Sequence, residues 1–194
     1  MITAPLFWIV AGYVLGSVPF GLLLTRMIGI DIRSVGSGNI GTTNVLRTGN
    51  KGLAAATLLL DAGKGAAAVL LARHFGSEAL AILAGGAAFL GHLYPVWLKF
   101  RGGKGVATLL GVALAAVPMA GIAALLVWLT AALVTRYSSV GGMMSGAAAP
   151  VAAAALGQQD WAVALAGLAV LLVVKHRDNI ARLRAGTESR IGAK

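Results

Sequence analysis

The sequence predicts an all-α, polytopic membrane protein with seven transmembrane helices, its N-terminus outside and its C-terminus cytoplasmic. Three observations carry this. Of the 194 residues, 58% are hydrophobic and only 11% are charged, whereas a soluble domain carries about 25% charged residues. The mean hydropathy of +0.86 is too high for a surface that faces water. Only six charged side chains, Asp61, Lys64, Arg73, Glu78, Arg136 and Asp160, fall within residues 53–98 or 105–174. The others crowd into short segments between apolar runs. These features exclude a soluble enzyme, a disordered chain and a coiled coil. The chain has no cysteine, so disulfide scaffolds, thiolate nucleophiles and cysteine-based metal sites are excluded as well.

The elements follow in order. A bilayer core of about 30 Å takes about 20 helical residues per crossing. The first apolar run, 5–25, has nothing basic before it and Arg26 after it, so it reads as a retained span and not as a signal peptide. A polar stretch, 26–52, comes next. The second span, 53–72, contains Asp61 and Lys64, and a short turn at 73–78 leads into the third, 79–98. After the polar segment 99–104, residues 105–135 hold no charge at all. As one helix these 31 residues would run about 46 Å, too long for one crossing. Pro118 and Gly121 place a break there, which gives short spans at 105–117 and 119–135. A loop at 136–139 precedes spans at 140–156 and 161–174, and the tail 175–194 is basic.

The charge distribution tests this topology. Fourteen of the sixteen Lys and Arg residues fall in the segments assigned to the inside. Arg73 alone lies in an outer turn, and Lys64 is embedded. Membrane proteins place Lys and Arg on the cytoplasmic side. Reading 105–135 as one crossing would put the six basic residues of the tail outside. The net charge of +10 is therefore a membrane-topology signal, and no nucleic-acid partner is expected. With no internal repeat and no linker, the chain reads as a single domain, 1–194. Its 27 glycines and long alanine runs suit close helix packing in lipid, as at Gly12 and Gly16.

The dense polar chemistry lies on the inner side in three islands. In the first, Gly36, Gly38 and Gly41 alternate with Ser37, Asn39, Thr42, Thr43 and Asn44, flanked by Arg33 and Arg47. Glycine lets backbone N–H groups converge on an anion, and arginine suits phosphate; the competing reading is a flexible Gly/Ser loop. The second island, Phe100-Arg-Gly-Gly-Lys-Gly-Val-Ala-Thr108, opens directly into an apolar helix. Its Gly102, Gly103, Lys104, Gly105 and Thr108 read as a phosphate cradle at a helix N-terminus, or as a basic turn capping a membrane helix. It is not a Walker A loop, because position 98 is Leu98. In the third island, 175–188, His176 and Asn179 share a helical face; a plain anionic-lipid anchor is the alternative. Ser138 and Ser139 follow Arg136 on the inside and face the same region. Asp61 and Lys64, at i and i+3 within the second span, either pair with each other or close the inner mouth of a site. His92 reads as a buried hydrogen-bonding residue or as a catalytic one.

These motifs carry a resemblance. GSVPFG at 16–21, DIRSVGSGNIGTTN at 31–44 with Arg47, DAGKG at 61–65, GHLYPV at 91–96, FRGGKGVAT at 100–108 and HRDNIARLRAG-x-E at 176–188 together resemble the bacterial acyl-phosphate:glycerol-3-phosphate acyltransferase family, nearly end to end. Thr42 stands where that family usually has Ala. The resemblance implies acyl transfer from a long-chain acyl phosphate to the 1-hydroxyl of sn-glycerol 3-phosphate, giving lysophosphatidic acid and phosphate, an early step of phospholipid synthesis. It ties activity to Ser37, Arg47, His176 and Asn179. It links Gly102 to Thr108 with glycerol 3-phosphate binding and makes Glu188 structural; Asp61 and Lys64, read above from their spacing, are assigned a structural role as well. Gly38, Asn39, Thr43, Asn44 and Ser139 join the expected substrate-binding set.

The implied setting is the bacterial cytoplasmic membrane with the site on its inner face, among membrane lipids, with no cofactor or metal. The enzyme that makes acyl phosphate is a candidate partner. There is no Ser-His-Asp arrangement and no His-x4-Asp signature, since Ala79, Trp97 and Ala181 stand five residues after the three histidines. Direct transfer without an acyl-enzyme is expected, with His176 or a substrate phosphate oxygen as base. A transporter, the alternative class, would place its site near mid-membrane and leaves the surface islands unexplained; a lipid-binding scaffold predicts no phosphate release.

Overall fold

The computed structural model describes residues 4–192; Lys194, counted above with the basic tail, lies outside them. All regular structure among the described residues is helical. The chain divides into two compact units, Met1–Val112 and Ala113–Lys194.

The first unit contains α1 (Pro5–Gly16), α2 (Phe20–Met27), α3 (Thr42–Leu46), α4 (Lys51–Phe75), α5 (Glu78–Leu93) and the start of α6 (Val106–Ala116). Helix α1 packs on α5 and α4. Gly12 and Gly16 make this possible, because a Cβ at either would strike the backbone of Ala84 or Ala88 in α5. Close backbone approach is a main source of helix attraction in lipid. Gly16→Leu is therefore expected to force α1 off α5 and to lower stability by about 1–3 kcal/mol, read as a lower melting temperature in mild detergent. Unchanged melting would contradict this packing.

The first apolar run is not one helix. It breaks between Gly16 and Phe20, where Pro19 lacks an N–H and its ring crowds the preceding turn. Side chains from elsewhere in the unit take up carbonyls near the break. Lys64 Nζ donates to the Val18 carbonyl at 2.8 Å, and Trp97 Nε1 donates to that of Ser17 at 2.7 Å. The Tyr13 hydroxyl in turn donates to the Tyr94 carbonyl at 2.7 Å. The polar stretch 26–52 is also more ordered than its composition suggests. Its Ile32, Ile40 and Val45 are buried with Leu22 and Ala54 in one apolar cluster. Helix α4 then starts at an Asn50 cap, whose Oδ1 accepts the Leu53 N–H at 3.0 Å.

The second unit contains the rest of α6, then α7 (Pro118–Thr135), α8 (Ser138–Ala155), α9 (Gln159–Lys175) and α10 (Arg177–Arg184). The expected break in the uncharged run is present: α6 ends at Ala116, and Pro118 occupies the first turn of α7, where its missing N–H costs nothing. Gly121 lets the turn close, since a Cβ there would meet the Leu114 backbone. Helix α8 packs on both α7 and α9, and α10 bends away from α9 by 55°.

Among the described residues, four helices, Pro5–Met27 taken together, Lys51–Phe75, Glu78–Leu98 and Pro118–Thr135, are long and apolar enough to cross a bilayer, or five if the bent α9–α10 pair is one span. Helix α6, with 11 residues, reaches only about 17 Å. Large apolar side chains such as Leu59, Val134 and Val163 are more than two-thirds exposed, which suits contact with lipid tails and not with water.

Candidate functional site

In the first unit, the glycine-rich island folds around one side chain. Asn44, on the short helix α3, is buried. Its Nδ2 donates to the carbonyls of Ile32 (3.0 Å) and Val35 (2.9 Å). Its Oδ1 accepts from the Ser37 N–H (3.1 Å), the Ser37 hydroxyl (3.3 Å) and Arg47 Nη1 (3.4 Å). The loop reaches this arrangement through Gly36 and Gly38, at φ of +52° and +66°, a region that suits glycine. Ser37 and Arg47 are exposed and held by the same carboxamide. Of the other expected ligands, Asn39 accepts the Gly41 N–H at 2.9 Å, and Gly38 donates its own N–H to the Val35 carbonyl at 2.9 Å. Thr43 is half-buried on α3. Asn44 thus spends its amide on holding the loop, and Ser37 and Arg47 are the side chains it presents.

The second island leaves the end of α5. A helix ends with carbonyls that lack partners, and this loop supplies two. Gly102 donates its N–H to the Leu93 carbonyl at 3.2 Å, and Gly103 donates to that of His92 at 3.0 Å. The glycines are needed for that seat, because a Cβ on Gly103 would collide with the His92 ring. The amides of Gly102 and Gly103, expected to cradle a phosphate, are therefore engaged in capping α5. Gly105, at φ +90°, lies against the Phe89 ring, and α6 begins one residue later. The remaining anion-binding groups are the half-buried Lys104 and the N–H groups of the first turn of α6. Thr108 in that turn is fully buried, and its Oγ1 has no hydrogen-bond partner.

Beneath this loop lie the embedded charges. Lys64 Nζ is 2.7 Å from Asp61 Oδ1, and both side chains are at most 3% exposed. His92 Nδ1 stands 3.7 Å from the same carboxylate oxygen. The pairing read from the sequence is present; the third member, His92, was not legible from spacing.

In the second unit, Glu188 is the hub. Its Oε1 accepts from Asn179 Nδ2 at 2.6 Å and from the Ser139 hydroxyl at 2.8 Å, while its Oε2 accepts from Arg182 Nε at 2.7 Å. Ser139, expected to touch substrate, is directed to this carboxylate. Asn179 is buried, and its Oδ1 has no hydrogen-bond partner. His176, also buried, sets Nδ1 2.8 Å from the Leu172 carbonyl. A carbonyl only accepts, so this contact assigns the proton to Nδ1 and the basic lone pair to Nε2. The segment after α10 is strapped to the α7–α8 turn: Ile191 donates its N–H to the Arg136 carbonyl at 2.7 Å, and Arg190 Nε donates to the Tyr137 hydroxyl at 3.3 Å. No motif in the sequence announced this strap.

Burial alone would raise the Glu188 carboxyl, but the hydrogen bonds from Asn179, Ser139 and Arg182 and the Arg182 charge outweigh it and hold the group below its ordinary value. Its stabilising contribution is then complete above the unfolded-state value of about 4.3, and fades as pH falls from there through the folded-state value. Melting temperatures of wild type and Glu188→Gln are expected to differ at neutral pH and to converge on acidification below about pH 4.3. A pH-independent difference would refute the assignment.

Comparison with known proteins gives one consistent answer. The Glycerol-3-phosphate acyltransferase family model matches residues 6–186, which run through both units. The glycerol-3-phosphate acyltransferase of Ruegeria sp. is 59% identical over 190 residues, 97% of this chain and 94% of that protein. That of Agrobacterium fabrum is 56% identical over 184 residues, 94% of this chain and 90% of that protein. The fold is similar to crystal structures of PlsY, an integral membrane glycerol 3-phosphate acyltransferase. Its glycerol 3-phosphate form has a TM-score of 0.93 at 37% identity, covering 97% of this chain and 96% of that one. Its lysophosphatidic acid form has a TM-score of 0.91 at 36% identity, covering 97% and 95%. The chain belongs to the glycerol-3-phosphate acyltransferase family of integral membrane proteins.

Proposed function

We propose that the chain transfers an acyl group from a long-chain acyl phosphate to the 1-hydroxyl of glycerol 3-phosphate, releasing lysophosphatidic acid and inorganic phosphate. One observation supports an activated donor, and the motif resemblance narrows it to an acyl phosphate. The Ser37 hydroxyl points its hydrogen at the amide oxygen of Asn44, and an amide is not a base. Ser37 is therefore not an activated nucleophile, and the donor must bring its own activation. An acyl phosphate, a mixed anhydride, does so. The acceptor oxygen bonds to the carbonyl carbon, the C–O bond to phosphate breaks, and the hydroxyl proton passes to the departing phosphate, directly or through His176 Nε2.

The chain's task is then orientation and charge stabilisation. Ser37 and Arg47 hold one phosphate. Lys104 and the first turn of α6, with Thr108, take the phosphate of glycerol 3-phosphate. In the second unit, Asn179, anchored by Glu188 and Ser139, offers its unpartnered Oδ1 to a substrate hydroxyl. The charge asymmetry supports seven crossings with the N-terminus outside and the polar islands at the cytoplasmic face of a bacterial inner membrane. There the lipid-like donor arrives through the bilayer from the enzyme that makes it.

The test uses the full chain in lipid nanodiscs with palmitoyl phosphate. Inorganic phosphate is expected only when glycerol 3-phosphate is added, one per lysophosphatidic acid formed. Ser37→Ala is expected to lower kcat/KM on the order of 100-fold by misplacing substrate. Phosphate release without the acceptor, or an acyl group trapped on Ser37, would overturn the proposal.

A further inference from the structure

The embedded Asp61–Lys64 pair does more than neutralise itself. Lys64 holds the Val18 carbonyl at the break between α1 and α2. The carboxylate of Asp61 also faces the His92 ring. His92 lies in the last turn of α5 and is only 5% exposed. It meets the 101–105 loop twice: its carbonyl takes the Gly103 N–H at 3.0 Å, and its ring fills the space that a Cβ on Gly103 would need. Lys104 is the next residue. Two membrane-embedded charges are costly to keep, and mutual pairing alone would need no third partner.

We infer that His92 is a positioning residue for the phosphate-binding loop: set 3.7 Å from the Asp61 carboxylate on one side and pressed against Gly103 on the other, it sets where Lys104 and the start of α6 stand. This rests on the reading that the loop takes the phosphate of glycerol 3-phosphate. His92 touches no substrate in this scheme. Its ring is enclosed between the carboxylate and the loop, and its effect passes through one peptide unit to Lys104. A displacement of about 1 Å in such a support costs on the order of 100-fold where geometry governs the rate.

The experiment compares the full-length protein in nanodiscs with His92→Phe, which keeps a ring beneath Gly103 but cannot address Asp61, and with His92→Gln, which keeps a polar donor. Two readouts are taken: glycerol 3-phosphate binding by calorimetry with no donor present, and separate KM values for glycerol 3-phosphate and palmitoyl phosphate. His92→Phe is expected to weaken binding and raise the glycerol 3-phosphate KM on the order of 10- to 100-fold, with the palmitoyl phosphate KM unchanged. His92→Gln should recover part of that loss, and Asp61→Asn should show the same selectivity. Equal rises in both KM values, or unchanged binding with only a lower melting temperature, would overturn the inference. Wild-type binding without turnover of palmitoyl phosphate would refute the donor assignment instead and leave the binding comparison decisive. If His92→Phe does not fold, His92→Gln and Asp61→Asn decide by the same readouts.

Discussion

Lys64→Met is expected to destabilise the folded chain by about 3–5 kcal/mol, the cost of leaving one member of a buried ion pair without its partner. Methionine keeps the apolar stem of the side chain, so the loss reports the ammonium group. Asp61 would lose the cation 2.7 Å away, and the Val18 carbonyl would lose its donor at the one place where the first span is already interrupted by Pro19. Unfolding by SDS titration of the protein in mixed micelles measures the effect. The double variant Asp61→Leu/Lys64→Met removes both charges and is expected to regain most of the stability. It should not regain glycerol 3-phosphate affinity, because His92 would still lack its carboxylate partner. A double variant as unstable as Lys64→Met would show that the pair's interaction is not what holds this region together.

This pair marks a boundary between what the sequence states and what it leaves to the fold. Asp61 and Lys64 at i, i+3 in an apolar run are legible as a pair because helix geometry puts them on one face. His92, about thirty residues on in α5, comes to them only through tertiary packing, which no local spacing encodes. The same holds for the first apolar run. Its hydropathy was plain, but the break depends on whether neighbouring side chains can satisfy the carbonyls exposed at Pro19, and Trp97 and Lys64 supply that from far along the chain. By contrast, Pro118 in an overlong uncharged run marks the break in the sequence itself, since length and a missing N–H are local facts.

The glycine islands illustrate a second limit. A glycine-rich segment beside a lysine reads as an anion cradle, and composition cannot tell which partner its amides choose. Here Gly102 and Gly103 give theirs to the carbonyl end of α5. Their lack of side chains serves close approach to His92 and not directly to a ligand. Ser139 shows the same ambiguity: its polar place at the start of α8 is legible, while its commitment to Glu188, 49 residues away, is not.

Asn44→Leu is expected to cost the largest share of activity of any substitution that removes no group presented to substrate. Leucine has the same number and branching of side-chain heavy atoms as asparagine, so it tests the site with the polar groups removed and the branched shape kept. The carbonyls of Ile32 and Val35 would lose their donor, and Ser37 and Arg47 would lose their common acceptor. Each polar group left unpaired in a buried setting costs about 1–3 kcal/mol, and the loop can avoid that cost only by moving. A fall in kcat/KM on the order of 100-fold or more is the expected result. The decisive comparison is the double variant with Ser37→Ala. If Asn44 acts by placing Ser37, the two losses overlap, and removing the serine from the Asn44→Leu background changes little further. Losses that simply multiply would mean that Asn44 meets the substrate on its own account, as its place in a polar, glycine-rich motif first suggested.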